Sequence, residues 1–425
     1  MLDKHEMSSM SDFLEESSVR EKMKRKRKNE DENDESEGNE DRLSDLPDGV
    51  LLHILSFLNT KHVVRTCVLS KRWKHLWKRI PTLILHSSRF STVKQFSIFV
   101  SNILTRLDNS TALHALDLNR LGNIEPQILK KILNYVSSHN THIQELGISV
   151  SADSSLIMSC VSSCHALTSL KLSIYPRDRY DFDSGILFPK SLNLPALTSL
   201  NLSNFVFCGD ENGRAEPFLA FTKLNSLVIG SCKARDAQIL SISNATLVNL
   251  AMHNSSRPAF AKIELSSPCL LTFTFNGRPV HKICGSGLSS VKQVNITAQM
   301  YSVNDMSHMV LFSWLLELAN VQSLTVSSTT LRILSLVPDL LDIELPSLCN
   351  LKSMKIKLEP SEVQLGLPLI LEQDMLKKAA AKSRKEVAKL RKAFKTGWQL
   401  PSIPEGIVNF LLQNSPSAKV DITTY

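Results

Sequence analysis

From residue 113 onward, apolar residues recur at positions i, i+3 and i+5. The set appears as Leu113/Leu116/Leu118, Ile143/Leu146/Ile148, Leu167/Leu170/Leu172, Leu197/Leu200/Leu202 and Leu224/Leu227/Ile229. It continues as Leu247/Leu250/Met252, Leu270/Phe273/Phe275, Val291/Val294/Ile296, Val321/Leu324/Val326 and Leu351/Met354/Ile356. Successive copies start 21 to 30 residues apart. The last two positions of each set alternate with polar residues, which places both on one side of a short strand. A single strand of this kind cannot bury its own apolar face, but a stack of them can.

That spacing and period are those of a leucine-rich repeat, in which each unit contributes a strand and a returning helix or loop. The expected fold class is therefore α/β, with an irregular solenoid built on a curved parallel sheet. Helical spacing predicts returning helices at Pro126–Ser138 and His308–Ala319. The copies are degenerate: only the unit at Leu224 keeps a consensus turn residue, Cys232. Gly285-Ser286-Gly287 reads as a turn.

Residues 43–77 follow a different pattern. A Leu-Pro opening at Leu46-Pro47 precedes an apolar stripe at Val50, Ile54, Leu55 and Leu58. A second helix carries Val63, Val64, Cys67 and Val68, and the segment closes on Ser70-Lys71-Arg72-Trp73 and Leu76-Trp77. Pro47 suits a first helical turn, which Ser44 or Asp45 could cap. Trp73 and Trp77, four residues apart, share a helix face.

This ordered block resembles the F-box, a three-helix module that docks substrate receptors onto a cullin-RING ubiquitin ligase. Together with the repeats, the chain resembles the plant F-box/LRR group. The resemblance implies a substrate-recognition subunit whose F-box binds a Skp-type adaptor, and through it cullin and RING subunits, while the repeats bind a target protein. It implies an adaptor-facing or module-packing set of Leu46, Pro47, Ile54, Leu55, Leu58, Val68, Lys71, Arg72, Trp73 and Trp77. Lys71, Arg72 and Lys74 would suit an acidic adaptor surface. The organisation that follows is a charged tail at 1–41, the F-box at 42–82, the solenoid at 83–370, and a basic helix with C-terminal cap at 371–425. The C-terminal domain of many relatives has no evident match in that last segment.

Charge refines this reading. The formal net charge of +8 is unevenly placed. Residues 20–28 hold seven Lys or Arg, whereas 30–41 hold eight acids and no base. The run Lys22, Lys24, Arg25, Lys26, Arg27 and Lys28 suits nuclear import. Residues 372–395 carry nine bases and three acids. There Leu376, Ala380, Ser383, Val387, Leu390 and Phe394 predict one amphipathic helix, followed by a short helix at Ile407–Leu412 and a strand at Lys419–Ile422. A basic tail and basic helix keep a nuclear nucleic-acid-binding protein as the competing class, with a non-degradative scaffold as a third.

Candidate chemistry is sparse. Walker, dinucleotide, His-Glu-x-x-His and Gly-x-Ser-x-Gly motifs are absent. No catalytic residue, cofactor or metal is expected, and Cys160 with Cys164-His165 lacks a second half-site. No apolar run reaches the 18 residues of a membrane span, and the N-terminus has no signal-peptide core. The expected location is nucleus and/or cytoplasm. Outward strand positions in the repeats, such as Ser169, Lys171, Ser173, Ser199, Asn201, Thr272, Thr274, Ser323 and Thr325, are small and polar with scarcely a charge or aromatic ring. Hot spots favour aromatics and Arg, so the loop at 175–183, with Tyr175, Arg177, Arg179, Tyr180 and Phe182, is the better candidate for substrate contact.

Overall fold

The computed structural model describes residues 43, 45–108, 110–175, 185–254, 260–302, 306–359, 367–396, 398 and 401–424. The chain divides into two compact units, Met1–Tyr180 and Asp181–Tyr425.

The first unit opens with the helix Asp48–Ser56. The helix Thr60–Arg65 follows and runs into a 3-10 turn at Thr66–Val68; the helix Trp73–Leu76 ends in a second such turn at Trp77–Arg79. Pro47 sits at the N-cap of the first helix, which has no side-chain cap; Asp45 does not take that role. Asn59 caps the second by accepting from Lys61 N at 3.1 Å. Leu51, Leu55, Val63, Val64, Trp73, Leu76, Trp77 and Ile80 are buried. The paired indoles thus supply the bulk of a core that a module this small could not assemble from aliphatic residues alone.

Four parallel strands continue this unit: β1 (Thr82–His86), β2 (Ala115–Asn123), β3 (Glu145–Ser151) and β4 (Ser169–Tyr175), paired in that order. Leu83, Leu116, Leu146 and Leu170 share one register row, and Leu85, Leu118, Ile148 and Leu172 another. The returning segments are the helices Val93–Leu104, Pro126–Ser138 and Ser154–Ser163. The second of these starts on Pro126, where the missing N–H costs nothing.

The three-helix module is welded to the first strand. Thr60, fully buried, accepts from Ile84 N through its hydroxyl at 2.9 Å. Lys61 Nζ donates to Arg89 O at 2.6 Å and lies 4.5 Å from the Phe90 ring centre.

In the second unit, eight parallel strands pair in chain order. They are Ser199–Ser203, Ser226–Gly230, Asn249–Asn254, Thr272–Gly277, Gln293–Ala298, Ser323–Ser327, Ser353–Leu358 and Lys419–Thr424. Every apolar residue of the ten copies is buried. The returning segments here begin as strands. Ile239–Ser243 and Lys262–Ser266 pair in a second parallel sheet, and Phe205–Cys208 belongs to a third. Helices return only later, at Ser307–Glu317 and Ser328–Leu334. Trp314 anchors the first of these: its ring packs edge-on to Phe275 at 4.7 Å, and Nε1 donates to His281 O at 2.9 Å. Cys232, just past the strand Ser226–Gly230, is buried, which pushes its thiol up to about 12.

The basic segment is two helices, Leu367–Lys382 and Arg384–Lys395, rather than the single helix expected. Ser383 is extended between them and caps the second by accepting from Glu386 N at 3.2 Å. The Ser-x-x-Glu spacing is that of a capping box. Beyond it, Arg332 Nε donates to Pro401 O at 3.0 Å, and Ser415 Oγ donates to Leu348 O at 2.8 Å.

Candidate functional site

Residues 43–80 carry more apolar side chains than one core stripe can absorb. Leu51 and Leu55 of the first helix are buried, at 0% and 2% exposure, while Val50 and Ile54 stand out at 43% and 40%. Phe57, just past the helix end, is 71% exposed with the His53 ring edge-on to it at 4.9 Å. Leu43, Leu58, Val68 and Leu69 are exposed as well. Single exposed hydrophobics are ordinary, whereas a concentration of them in one small module marks a docking surface.

The residues singled out from sequence divide between the two faces. Pro47, Ile54, Leu58, Val68 and Lys71 are exposed, and Leu46 is half-buried. Leu55, Trp73 and Trp77 point inward and hold the module together. Phe57 and Leu69 were not singled out, and Val50 was read as part of the apolar stripe without being placed in the adaptor-facing set. The signal for them was available: Leu51, Leu52, Ile54, Leu55, Phe57 and Leu58 are too many apolar residues for one helical stripe.

Arg72 does not extend outward as a free cation. Its Nε and Nη2 donate to Asp48 Oδ1 at 2.8 and 2.7 Å, and Nη2 also donates to Leu46 O at 2.5 Å. Arg79 Nη1 reaches Asp48 Oδ2 at 3.3 Å. This network fastens the Leu46-Pro47 entry to the segment leading into the third helix.

The Arg72 guanidinium beside Asp48 holds its carboxyl below the ordinary value of 3.8. A depressed carboxylate contributes stability above its unfolded value, and that contribution is lost as pH falls through the folded value. Asp48→Asn is therefore expected to lower the unfolding temperature at pH 7, with the gap to wild type closing below about pH 4. Thermal melts of both chains across that range check this; a gap that persists at low pH would refute it.

Among the described residues, no group of three or more His, Cys, Asp or Glu is placed to hold a metal. Cys160 and Cys164 are buried, and the Cys164 thiol donates to Cys160 O at 3.2 Å. No helix of the described residues is long and apolar enough to cross a membrane. Tyr175 lies half-exposed at the end of β4. Arg177, Arg179, Tyr180 and Phe182 lie outside the described residues, as does the basic run from Lys22 to Lys28. The outward face of β2 and β3 carries Asp117 and Glu145, charged positions absent from the outward set read off the sequence.

A family model described as the F-box domain matches residues 43–85. The chain is similar to two F-box/LRR-repeat proteins of Arabidopsis thaliana. With At4g14096 it is 26% identical over 349 residues, covering 79% of this chain and 71% of that protein. With At4g14103 it is 26% identical over 355 residues, covering 79% and 89%. Among solved structures, one chain of the TLR13–ssRNA13 complex covers 66% of this chain and 46% of its own at 11% identity. The TM-score is 0.29, too loose a superposition to argue from. The chain thus carries an F-box domain ahead of leucine-rich repeats and resembles F-box/LRR-repeat proteins over most of its length.

Proposed function

We propose that this chain is the substrate-recognition subunit of an SCF-type cullin-RING ubiquitin ligase. The observation that carries the reading is the exposed apolar set on the F-box, Val50, Ile54, Phe57, Leu58, Val68 and Leu69. Such a set, left in water by a module whose core is already filled, supports burial against a Skp-type adaptor, and Pro47 and Lys71 are exposed in the same module. Cullin and RING subunits join through that adaptor. The chain itself supplies no bond-making chemistry. It raises the local concentration of target lysines near a ubiquitin-charged conjugating enzyme that the ligase provides. The basic run Lys22–Lys28 would direct the assembly to the nucleus.

The test is a pull-down of a plant Skp-type adaptor in about 0.3 M salt, which screens exposed charges. Wild type is expected to retain the adaptor, and Ile54→Asp/Leu58→Asp to lose it while melting at the wild-type temperature. Failure of a folded wild-type chain to bind would overturn the reading.

A further inference from the structure

The helix Arg384–Lys395 has two faces of opposite chemistry. At about 100° per residue, Arg384, Lys385, Lys389, Arg391, Lys392 and Lys395 fall within one arc of about 160°. Val387, Leu390, Ala393 and Phe394 fall opposite and are half-buried, and the helix packs on Leu367–Lys382. All six bases are exposed, and among the described residues none of them is in an ion pair. Glu386, the one acid of the helix, lies outside the basic arc, and its backbone N–H bonds to the Ser383 cap. This arrangement works against the helix that carries it. Lys385–Lys389, Lys389–Lys392, Arg391–Lys395 and Lys392–Lys395 are like charges three or four residues apart, and each pair repels. Arg384 and Lys385 add positive charge at the positive end of the helix dipole. An ordinary solvated helix would interleave acids at these positions. Charges kept at the expense of local stability point to an anionic ligand that relieves them. Just past the helix, Trp398 is 44% exposed, with its backbone N–H bonded to Ala393 O at 3.0 Å and its ring edge-on to Phe394 at 5.4 Å.

We infer that this face docks single-stranded nucleic acid, with phosphates on the six bases of the helix and one unstacked nucleobase on the Trp398 ring. The inference goes beyond the receptor reading and does not depend on it. Charge and geometry together select the occupant. From Arg384 to Lys395 the basic face runs about 16 Å along the helix axis. A nucleic-acid strand meets such a face with one negative charge at every unit. An acidic protein surface mixes bases among its acids, and any base set beside these six would be repelled. A membrane fits poorly, because an interfacial helix buries its apolar face in lipid, and here that face is turned to Leu367–Lys382. The exposed indole favours a single strand over a duplex. Bases within a duplex already cover one another, whereas a single strand is free to lay one on an aromatic ring. The Phe394 contact and the Ala393 bond hold the indole in place, so little ordering is lost when a nucleobase stacks on it. Contacts of this kind read the backbone and tolerate any sequence.

The test is fluorescence anisotropy of a labelled oligo(dT) of about 12 nucleotides, titrated with the full-length chain. The matching oligo(dT)·oligo(dA) duplex, a poly-glutamate peptide and phosphatidylserine vesicles run beside it. The chain used as reference carries Lys24→Gln/Arg25→Gln/Lys26→Gln/Arg27→Gln, so that the N-terminal basic run adds little. It is expected to bind the single strand more tightly than any of the other three. Its log affinity should fall against log salt with a slope of about −4, the value for six contacts to a single strand. Adding Lys389→Glu/Lys392→Glu relieves repulsion, so the chain should melt no lower than the reference. That variant is expected to bind at least about tenfold more weakly and with a flatter slope. Adding Trp398→Ala instead should weaken binding about tenfold at an unchanged slope and abolish the preference over the duplex. If the lysine variant does melt lower, Trp398→Ala and the slope decide. No binding of the single strand, full affinity in either variant, or equal binding of duplex, peptide or vesicles would each overturn the inference.

Discussion

Phe57→Ala should weaken adaptor binding by about 2–4 kcal/mol, roughly 30- to 1,000-fold, while leaving the melting temperature close to that of wild type. The two halves of this expectation have one cause. At 71% exposure the Phe57 ring contributes little to the folded chain, so truncating it removes area that only a partner can bury. Leu55→Ala is the matched control. That side chain is 2% exposed, and its loss is expected to destabilise the F-box by about 2–5 kcal/mol through the cavity left behind. Titration calorimetry with the adaptor and thermal unfolding of both variants separate the two effects. If Phe57→Ala binds like wild type, or loses binding only in step with stability, the exposed face is not the adaptor surface.

The second large effect is expected at Trp314. Its indole is 2% exposed, sits edge-on to Phe273 and Phe275, and donates to His281 O at 2.9 Å. Trp314→Ala should cost about 3–5 kcal/mol from lost packing. Trp314→Phe keeps much of the volume but leaves a buried carbonyl without its donor, for an expected cost of about 1–3 kcal/mol. Denaturant midpoints of the two variants measure the split. Equal losses would mean that the hydrogen bond, not the ring's bulk, holds the helix Ser307–Glu317 to the sheet.

The repeats were legible because their signal is redundant. Each of the ten copies presents its apolar residues at the same spacing, and within each unit they are buried by stacking on neighbouring copies, so no single ambiguous position matters. The returning segments were less so. Ile239–Ser243 and Lys262–Ser266 are strands that pair with one another, and their partners lie about one repeat apart in sequence, beyond the window that local periodicity samples. The break at Ser383 was readable from Ser383 and Glu386, but the apolar positions on either side continue at helical spacing and mask it.

On the F-box, the existence of the helices was clear and their facing was not. Short helices such as Trp73–Leu76 show too few turns to define a stripe, so inward Leu55 and outward Ile54 look alike until the packing partner is known. Arg72 shows a related limit. A basic residue in an exposed segment reads as a free surface charge, and only the approach of Asp48 from an earlier helix pairs it within the module's own surface. The close approach of Asp117 to Gly147 left even less trace. A glycine within a strand is silent in sequence, and its meaning comes from Asp117 leaning across from the neighbouring strand.

The bond from Ile84 N to the buried Thr60 hydroxyl bears on where a ligase built on this chain could reach. A receptor with a loose tether would sweep its cargo through a broad volume and modify any lysine that wandered close. If the adaptor binds the F-box as proposed, the hydrogen bond between the second F-box helix and the first strand would carry the orientation it imposes to the sheet face of β1–β4. Such an assembly would act as a ruler, favouring lysines at one distance and bearing from the docked segment over nearer ones that lie off its axis.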